Sequence, residues 1–569
     1  MALLDTRLWR SRRALASGAL RAALRIGGVE SSEGTLARTL RDSRASGNLS
    51  FARDWSFAQL LEWAAKRYKH RPFVEYGNQR ISFLEMNRRA NRVARSLERA
   101  GLRTGEGVAL MMGNHPRFLE VFFATQKLGA YCVPINAGLI GEGLAYILGH
   151  SEVKIAVLDH TTVGAVGELA GQLQGLERIY VSSDEAGAGF CVPDGMRGYV
   201  ELEAGMVDDG DNLGRWPDPQ APCLLLYTSG TTGLPKAVVT TFGNTRVKAM
   251  GLLANAQYNA GDKLYTCLPL FHANALLLTV MQALWVGIPV YIGKRFSASR
   301  FWGEVADSQA TAFNTVGSMI PILLKTPPSP DDRRHRVKRV LSAACPKDAW
   351  EPFEERFGLD IWEAYGAVDG AGVAIANLGN CPVGSLGKMP ARGKLVDDQG
   401  NEVATGEAGE LIVFVGRGRE SGVQYFKNEA ASSDKVRDGW LHTGDTMLVD
   451  DAGYLYFVGR NTDSMRRRGE NVSAYEVEKQ VDAHPDVLES AAFGVPSELG
   501  EEDIMVVVVP IEGRSIDAAG LLDFLRARLP KYALPAYMEV VEEIPKTGTH
   551  RVIKTELKAR GVTAKTVKL

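Results

Sequence analysis

Apolar residues recur through residues 55–100 at the three- and four-residue spacing of helices lying on a core. Phe57, Leu60, Leu61, Ala64 and Ala65 form one such stripe, and Phe83, Met86, Ala90, Val93, Ala94 and Leu97 form a second. The pattern then shortens to compact β-rich runs at 108–112, 131–135 and 155–158, with helical patterns between them such as 118–128. Strands alternating with helices predict an α/β class protein with parallel sheets covered by helices on both faces. From 395 to 457 the character changes. Strand-like runs at 410–414 and 453–458 are joined by short Gly/Asp turns, which predicts a small antiparallel barrel or sheet. The tail, 473–569, reads as a compact α+β unit: helix 475–481, strands 490–495 and 505–510, helix 518–529, strand 538–541 and helix 552–560. No internal repeat is visible.

The 569 residues, 45% of them hydrophobic, are enough for two or more domains with large cores. A formal net charge of −1 gives no electrostatic case for nucleic acid as a partner. Six scattered cysteines without a C-x-x-C pair suggest neither a disulfide framework nor a zinc site, and they fit a reducing, cytoplasmic compartment. No apolar run approaches the ~18–20 residues needed to span a bilayer; the longest, at 275–290, is broken by Thr279, Gln282 and Gly287. Residues 1–30 carry Arg7, Arg10, Arg12, Arg13, Arg21 and Arg25, with Asp5 and Glu30 the only acids. Three readings stay open: a basic helix in peripheral contact with a membrane, a transit peptide, or a helix packed on the body or frayed from it. Residues 31–50 are a Ser/Gly/Arg-rich linker, so 1–50 form an N-terminal extension.

The candidate chemistry begins at 227–236, Tyr-Thr-Ser-Gly-Thr-Thr-Gly-Leu-Pro-Lys, directly after the buried-strand run 223–226. Gly230 and Gly233 let the backbone approach a polyanion. The hydroxyls of Thr228, Ser229, Thr231 and Thr232 can donate to phosphate oxygens, and Lys236 adds a point charge. The spacing is not the Walker pattern, which needs Gly-Lys-Ser/Thr opening a helix.

This stretch resembles the phosphate loop of the adenylate-forming superfamily, which includes acyl-CoA synthetases, peptide-synthetase adenylation domains and luciferases. The resemblance covers nearly everything from about residue 50 onward. It implies a large domain over 51–462, made of two parallel-sheet subdomains plus a small β-barrel. It also implies a small mobile domain over 463–569 that pivots at Asp463, within Gly459-Arg460-Asn461-Thr462-Asp463. Trp362-Glu363-Ala364-Tyr365-Gly366 is similar to the family segment whose tyrosine stacks on adenine. With Ala367 and Val368 it would bind nucleotide, together with Ala343 and Ala344 of the adenine-edge turn Ser342-Ala343-Ala344-Cys345-Pro346. Leu441-His442-Thr443-Gly444-Asp445 resembles the motif whose aspartate takes both ribose hydroxyls, as a carboxylate can. Arg460 matches the arginine that reaches the same nucleotide. Pro269-Leu270-Phe271-His272 matches the segment lining the acyl channel, and Ala273, Asn274, Val316, Gly317 and Ser318 would shape that pocket.

On the CoA side, Arg466, Arg467, Arg468, Gly469 and Glu470 place cation density beside a glycine, which suits a 3′-phospho-ADP group. This segment is more similar to the fatty-acid-transport and very-long-chain acyl-CoA synthetase branch than to the peptide synthetases. Arg295–Trp302 and Pro545–Thr549 are similar to that branch as well.

The chain departs from the family at two places. The adenylating lysine of the C-terminal segment is replaced: Pro545-Lys546-Thr547-Gly548-Thr549-His550-Arg551 puts Arg551 at its position, and Lys554 follows three residues on. A planar guanidinium does not occupy the same point as an ammonium. The acidic position expected to hold Mg2+, alongside Thr228, is Asp369 in place of glutamate. Lys236, His272, Arg551 and Lys554 are the candidate catalytic residues. Both departures fall on the ATP-dependent half-reaction. The expectation is an acyl-CoA ligase-type enzyme for a hydrophobic carboxylic acid, with ATP or AMP, CoA and, if adenylation is retained, Mg2+ as cofactors. The adenylation step is either weakened or lost, so that preformed acyl-AMP is the substrate, or kept through Lys554 or Arg551. Acyl loading onto a carrier protein and a non-catalytic nucleotide-binding role are the remaining options. The oligomeric state stays open, a homodimer among the options.

Overall fold

The computed structural model describes residues 55–569 apart from 174, 188, 205–211, 216, 229–233, 244–253, 255–256, 318, 398, 418–421, 461–463 and 546–551. The N-terminal extension, the inner part of the glycine-rich loop, Asp463 and Arg551 therefore lie outside the described residues.

Two sheets face each other across one core. In the seven-stranded sheet the order is Arg197–Gly198, Arg178–Ser182, Val153–Asp159, Gly107–Met111, Tyr131–Pro134, Pro222–Thr228 and Lys236–Thr241. All neighbours are parallel except the last pair. The eight-stranded sheet runs Ala374–Asn377, Asp360–Gly366, Arg339–Ser342, Ala312–Asn314, Leu264–Thr266, Val290–Ile292, Pro72–Tyr76 and Gln79–Ser82, with antiparallel pairs only at its two edges. Strand Gly107–Met111 shows why these strands read as unbroken apolar runs. Val108 and Leu110 enter the core shared by the two sheets, whereas Ala109 and Met111 enter a second core with Leu144, Ile147 and Leu148 of helix Gly141–His150.

The helices forecast from the stripes are present. Helix Phe57–Tyr68 opens on a capping box in which Ser56 Oγ accepts from the Gln59 amide and the Gln59 side chain accepts from the Ser56 amide. Helix Phe83–Arg99 buries Phe83, Met86, Ala90, Val93, Ala94 and Leu97. Helix Pro116–Leu128 is buried along its whole length, with Pro116 in its first turn and Gly129 closing it in the left-handed region.

An antiparallel half-barrel follows, in the order Gly387–Lys388, Tyr454–Arg460, Trp440–Val449, Ala408–Phe414, Gly393–Val396. It has its own core, to which Val238 of the first sheet contributes. The C-terminal part begins with the hairpin Ser464–Arg467/Glu470–Ser473, which the sequence presented only as cation density beside a glycine. Helix Ala474–Asp482 and the four-stranded sheet Val487–Pro496, Glu502–Pro510, Tyr537–Val540, Val567–Lys568 complete it, with helices Ala518–Arg526 and Lys554–Arg560 and two separate small cores. Among the described residues no helix is long and apolar enough to cross a membrane.

Candidate active site

The glycine-rich loop joins two antiparallel neighbours, Pro222–Thr228 and Lys236–Thr241, so Thr228 and Lys236 are opposed across the ladder. Thr228 Oγ1 lies 3.4 Å from the Lys236 carbonyl oxygen. The Lys236 ammonium stands 5.5 Å from the centre of the Tyr425 ring. Ser229, Gly230, Thr231, Thr232 and Gly233 lie outside the described residues.

Tyr425 leads to the acidic position. Its hydroxyl donates to Asp369 Oδ2 at 2.7 Å, and Lys435 Nζ reaches the same oxygen at 3.1 Å. Burial drives the Asp369 carboxyl upward, but the Lys435 charge and the Tyr425 hydroxyl outweigh it and hold the group below its ordinary value. Burial, and then the Asp369 charge, raises the Tyr425 phenol, so it stays a donor.

The adenine-edge turn and the aromatic segment are brought side by side. Ala344 sits at φ 70°, in the left-handed region, and its neighbour Gly317 leaves no room for a side chain: a Cβ there would lie 2.4 Å from the Ala344 carbonyl oxygen. Glu363, which the sequence reading did not single out, holds the turn. Its two carboxylate oxygens accept from the Ala344 amide at 2.6 Å and the Cys345 amide at 3.0 Å. Burial raises its carboxyl to about 7, against the opposing pull of those two amides. Ala364 and Tyr365 are half-buried on the same strand, and Gly366 and Ala367 are exposed at its end. Val368 packs against the large core. Tyr365 donates its hydroxyl to Asp445 Oδ2 at 2.6 Å, and Asp445 pairs across the half-barrel with Arg460. Tyr365, Asp445 and the backbone of Arg460 are thus contiguous.

His272 precedes a one-turn helix, Ala273–Ala275, that continues as a π-turn, Leu276–Val280. Such a turn frees backbone carbonyls. Asn314 donates to the Leu278 carbonyl at 3.2 Å and to Asn274 Oδ1 at 2.9 Å. Phe271, Ala273, Leu277 and Val316 are partly buried here and form an apolar wall.

The C-terminal hairpin meets this wall. Gly469, at φ 85°, has no space beside it: a Cβ would lie 3.1 Å from Val316 Cγ2. Next to it, Glu470 Oε1 is 2.8 Å from His272 Nε2. The three arginines do not share a face. Arg466 donates to Asn471 Oδ1 at 2.9 Å, and Arg468 is exposed. Arg467 is buried, paired with Asp503 at 3.2 Å and donating to the Leu534 carbonyl, and burial lowers its pKa. Lys554 is elsewhere, bound at 2.7 Å to Glu478 of helix Ala474–Asp482.

Tyr425, Lys435 and Glu478 were also missed. Each acts through a partner more than fifty residues away, so no local spacing announced it. Glu363 had a signal: it stands two residues before Tyr365 on one strand, hence on the same face.

The chain matches the family model described as AMP-binding enzyme over residues 61–418 and that of its C-terminal domain over 476–551. It is 30% identical over 494 residues to a crotonobetaine/carnitine–CoA ligase of Salmonella paratyphi A, covering 84% of this chain and 93% of the relative. The ligase of the same name from Escherichia coli strain SE11 is 30% identical over 499 residues, with the same coverage. Among solved structures, the o-succinylbenzoate CoA synthetase of Bacillus subtilis superposes with a TM-score of 0.75 at 24% identity, over 90% of this chain and 99% of that one. The amide bond synthetase McbA of Marinactinospora thermotolerans gives 0.75 at 21% identity, over 89% and 99%. Both share the fold.

Proposed function

The chain belongs to the AMP-binding enzyme family of acyl-CoA synthetases, an acid–thiol ligase family, and on that footing we propose that it makes CoA thioesters of a hydrophobic carboxylic acid from an acyl-adenylate, with the adenylation half-reaction weakened or lost. One observation carries the reading. The hairpin tip, Gly469 and Glu470, is seated against Val316 and His272, while Lys554 is held on Glu478 of its own unit. In this reading the hairpin carries the thiol-side residues and the wall takes the acyl chain, while the one described lysine of the adenylating segment is engaged by Glu478.

In this reading Lys236, Tyr365 and Asp445 bind the AMP moiety, with the Ala343–Ala344 turn against its base. Phe271, Ala273, Leu277 and Val316 contact the acyl chain, which is the basis for a hydrophobic acid. Arg466 and Arg468 attract the CoA phosphates. An acyl-adenylate is already activated, so orienting the thiol against its carbonyl supplies much of the rate. Pivoting of the small unit about Asp463 would exchange the two half-sites.

A full ATP-dependent synthetase, using Arg551 or Lys554 and Mg2+, is the second reading. The ligase relatives at 30% identity favour it.

One assay tests both readings and a second separates them. Purified protein given preformed acyl-AMP and CoA is expected to release the thioester, while ATP–pyrophosphate exchange with candidate acids stays weak. Removing one preorganised electrostatic contact costs on the order of 10²–10³ in rate. Robust exchange, abolished by Lys554→Ala, would reject the half-reaction reading. An acyl-adenylate left intact in the presence of CoA would overturn both.

A further inference from the structure

The acidic position of the nucleotide site carries a feature that the functional reading does not use. Helix Glu429–Lys435 ends on Lys435, and the side chain turns into the site. Its Nζ lies 3.1 Å from Asp369 Oδ2 and 3.1 Å from the Thr443 carbonyl, two residues before Asp445. Only 17% of the Lys435 side chain and 18% of the Asp369 side chain is exposed, so the pair is largely removed from solvent. The Tyr425 hydroxyl occupies the same Asp369 oxygen, and Lys236 stands over the Tyr425 ring. Four side chains from four separate chain segments, Lys236, Asp369, Tyr425 and Lys435, thus form one cluster between the glycine-rich loop and the ribose-side aspartate.

A divalent cation fits this cluster poorly. Mg2+ takes hard, anionic oxygens and keeps its own waters, usually with one or two carboxylates and the substrate phosphates. Asp369 Oδ2 already accepts two donors, one of them an ammonium. A second cation at that oxygen would meet the Lys435 charge in a site where screening by water is weak. One positive charge is already present there in covalent form.

We propose that Lys435 is a resident cation of the nucleotide site, that it binds the phosphate of the AMP moiety, and that Asp369 is its counter-ion instead of a Mg2+ ligand. The proposal rests on the nucleotide-binding part of the functional reading and adds a residue and a charge assignment to it. An ammonium on a flexible stem makes a suitable phosphate partner. The Thr443 carbonyl accepts a further hydrogen bond from the ammonium at 3.1 Å and helps to fix where the head sits.

Titration calorimetry with AMP, run in EDTA, tests it on the full chain. Lys435→Met is expected to lower AMP affinity at least about ten-fold, the equivalent of one lost charge-assisted contact. Lys435→Arg is expected to keep most of the affinity. Asp369→Asn removes a negative charge near the phosphate and is expected to leave AMP affinity equal or higher. Thermal denaturation of each variant establishes that it is folded. The ammonium's role is overturned if Lys435→Met binds AMP as wild type does. The counter-ion role is overturned if Asp369→Asn weakens AMP binding in EDTA, or abolishes a Mg2+-dependent gain in ATP affinity that the wild type shows. Wild-type protein that takes up no AMP at all defeats the functional reading itself, and the proposal falls with it; a wild type that binds AMP confines any failure to Lys435 and Asp369.

Discussion

His272 Nε2 and Glu470 Oε1, 198 residues apart in sequence, stand 2.8 Å apart where the C-terminal hairpin meets the apolar wall. The two side chains are the direct polar link between the residue that opens the Ala273–Ala275 helix and the hairpin tip. His272 keeps 37% of its side chain exposed and Glu470 16%, so the contact is half-buried and only partly screened.

The first prediction concerns that link. Glu470→Ala is expected to slow thioester formation from preformed acyl-adenylate about ten-fold or more, as for a lost hydrogen bond to a charged group of about 1.5–3 kcal/mol. AMP affinity is expected to hold, because Glu470 touches none of Lys236, Tyr365 or Asp445. Single-turnover thioester formation and AMP titration, run side by side, check it. Equal losses in both would show that Glu470 supports the fold and not the docking of the hairpin.

Gly469 supplies the second. Any L-residue there must adopt φ 85° and also press a Cβ to 3.1 Å from Val316 Cγ2. Left-handed backbone costs about 1–2 kcal/mol without a glycine. Gly469→Ala is therefore expected to impair thioester formation and to lower the stability of the C-terminal unit by about that amount. Val316→Ala in the same protein removes the steric part and is expected to restore some of the rate. A double variant no faster than Gly469→Ala would mean that the close approach to Val316 plays no part.

These residues also mark what the sequence could and could not disclose. The parallel sheets were legible because strands such as Gly107–Met111 are covered on both faces and so carry unbroken apolar runs. Helices Phe57–Tyr68 and Phe83–Arg99 were legible because each buries one stripe. Lys236, Tyr365 and Asp445 stood inside local motifs. The hairpin 464–473 was hidden because its strands are short and charged, and only their packing against Glu502 and Asp503 reveals them: the Arg466 amide donates to Glu502 and the Arg467 guanidinium to Asp503. Reading Arg466, Arg467 and Arg468 as one cationic surface failed for the same reason, since strand alternation sends the middle one inward. Lys435 acts across folded space on Asp369, and no spacing along the chain encodes that distance, whereas Glu363 was readable only as sharing a strand face with Tyr365 and not as the holder of the Ala344 turn.

Glu363 makes a pH prediction. Its carboxyl titrates near 7 in the folded protein against 4.5 as a free side chain, chiefly through burial. Between those values the native state holds a proton that the unfolded state has released. Stability therefore declines as pH rises from about 4.5 to about 7 and then levels off, by up to about 3 kcal/mol from this group. Glu363→Gln cannot titrate and is expected to flatten the dependence of the melting temperature on pH between 5 and 8. It does not abolish the dependence, because burial also raises Glu476 to about 7. A variant whose profile runs parallel to wild type would remove Glu363 as a source of the slope.

The last prediction divides the arginines of the hairpin. Arg467 is buried, donating to the half-buried Asp503 and to the Leu534 carbonyl, and losing a hydrogen bond to a charged group costs about 1.5–3 kcal/mol. Arg467→Ala is expected to lower the stability of the C-terminal unit by that order, seen as earlier unfolding in urea. Any change in CoA affinity would then follow from the lost structure. Arg468 is exposed on the tip beside Gly469, where a charge attracts an anion without supporting the core. Arg468→Glu is expected to raise the KM for CoA several-fold, with urea unfolding close to wild type. The increase should shrink at high salt, since an exposed charge is screened over about 10 Å at 0.1 M ionic strength. Dephospho-CoA, which lacks the 3′-phosphate, should show a smaller penalty than CoA with Arg468→Glu. If both thiols suffer equally, the charge of Arg468 does not act on that phosphate.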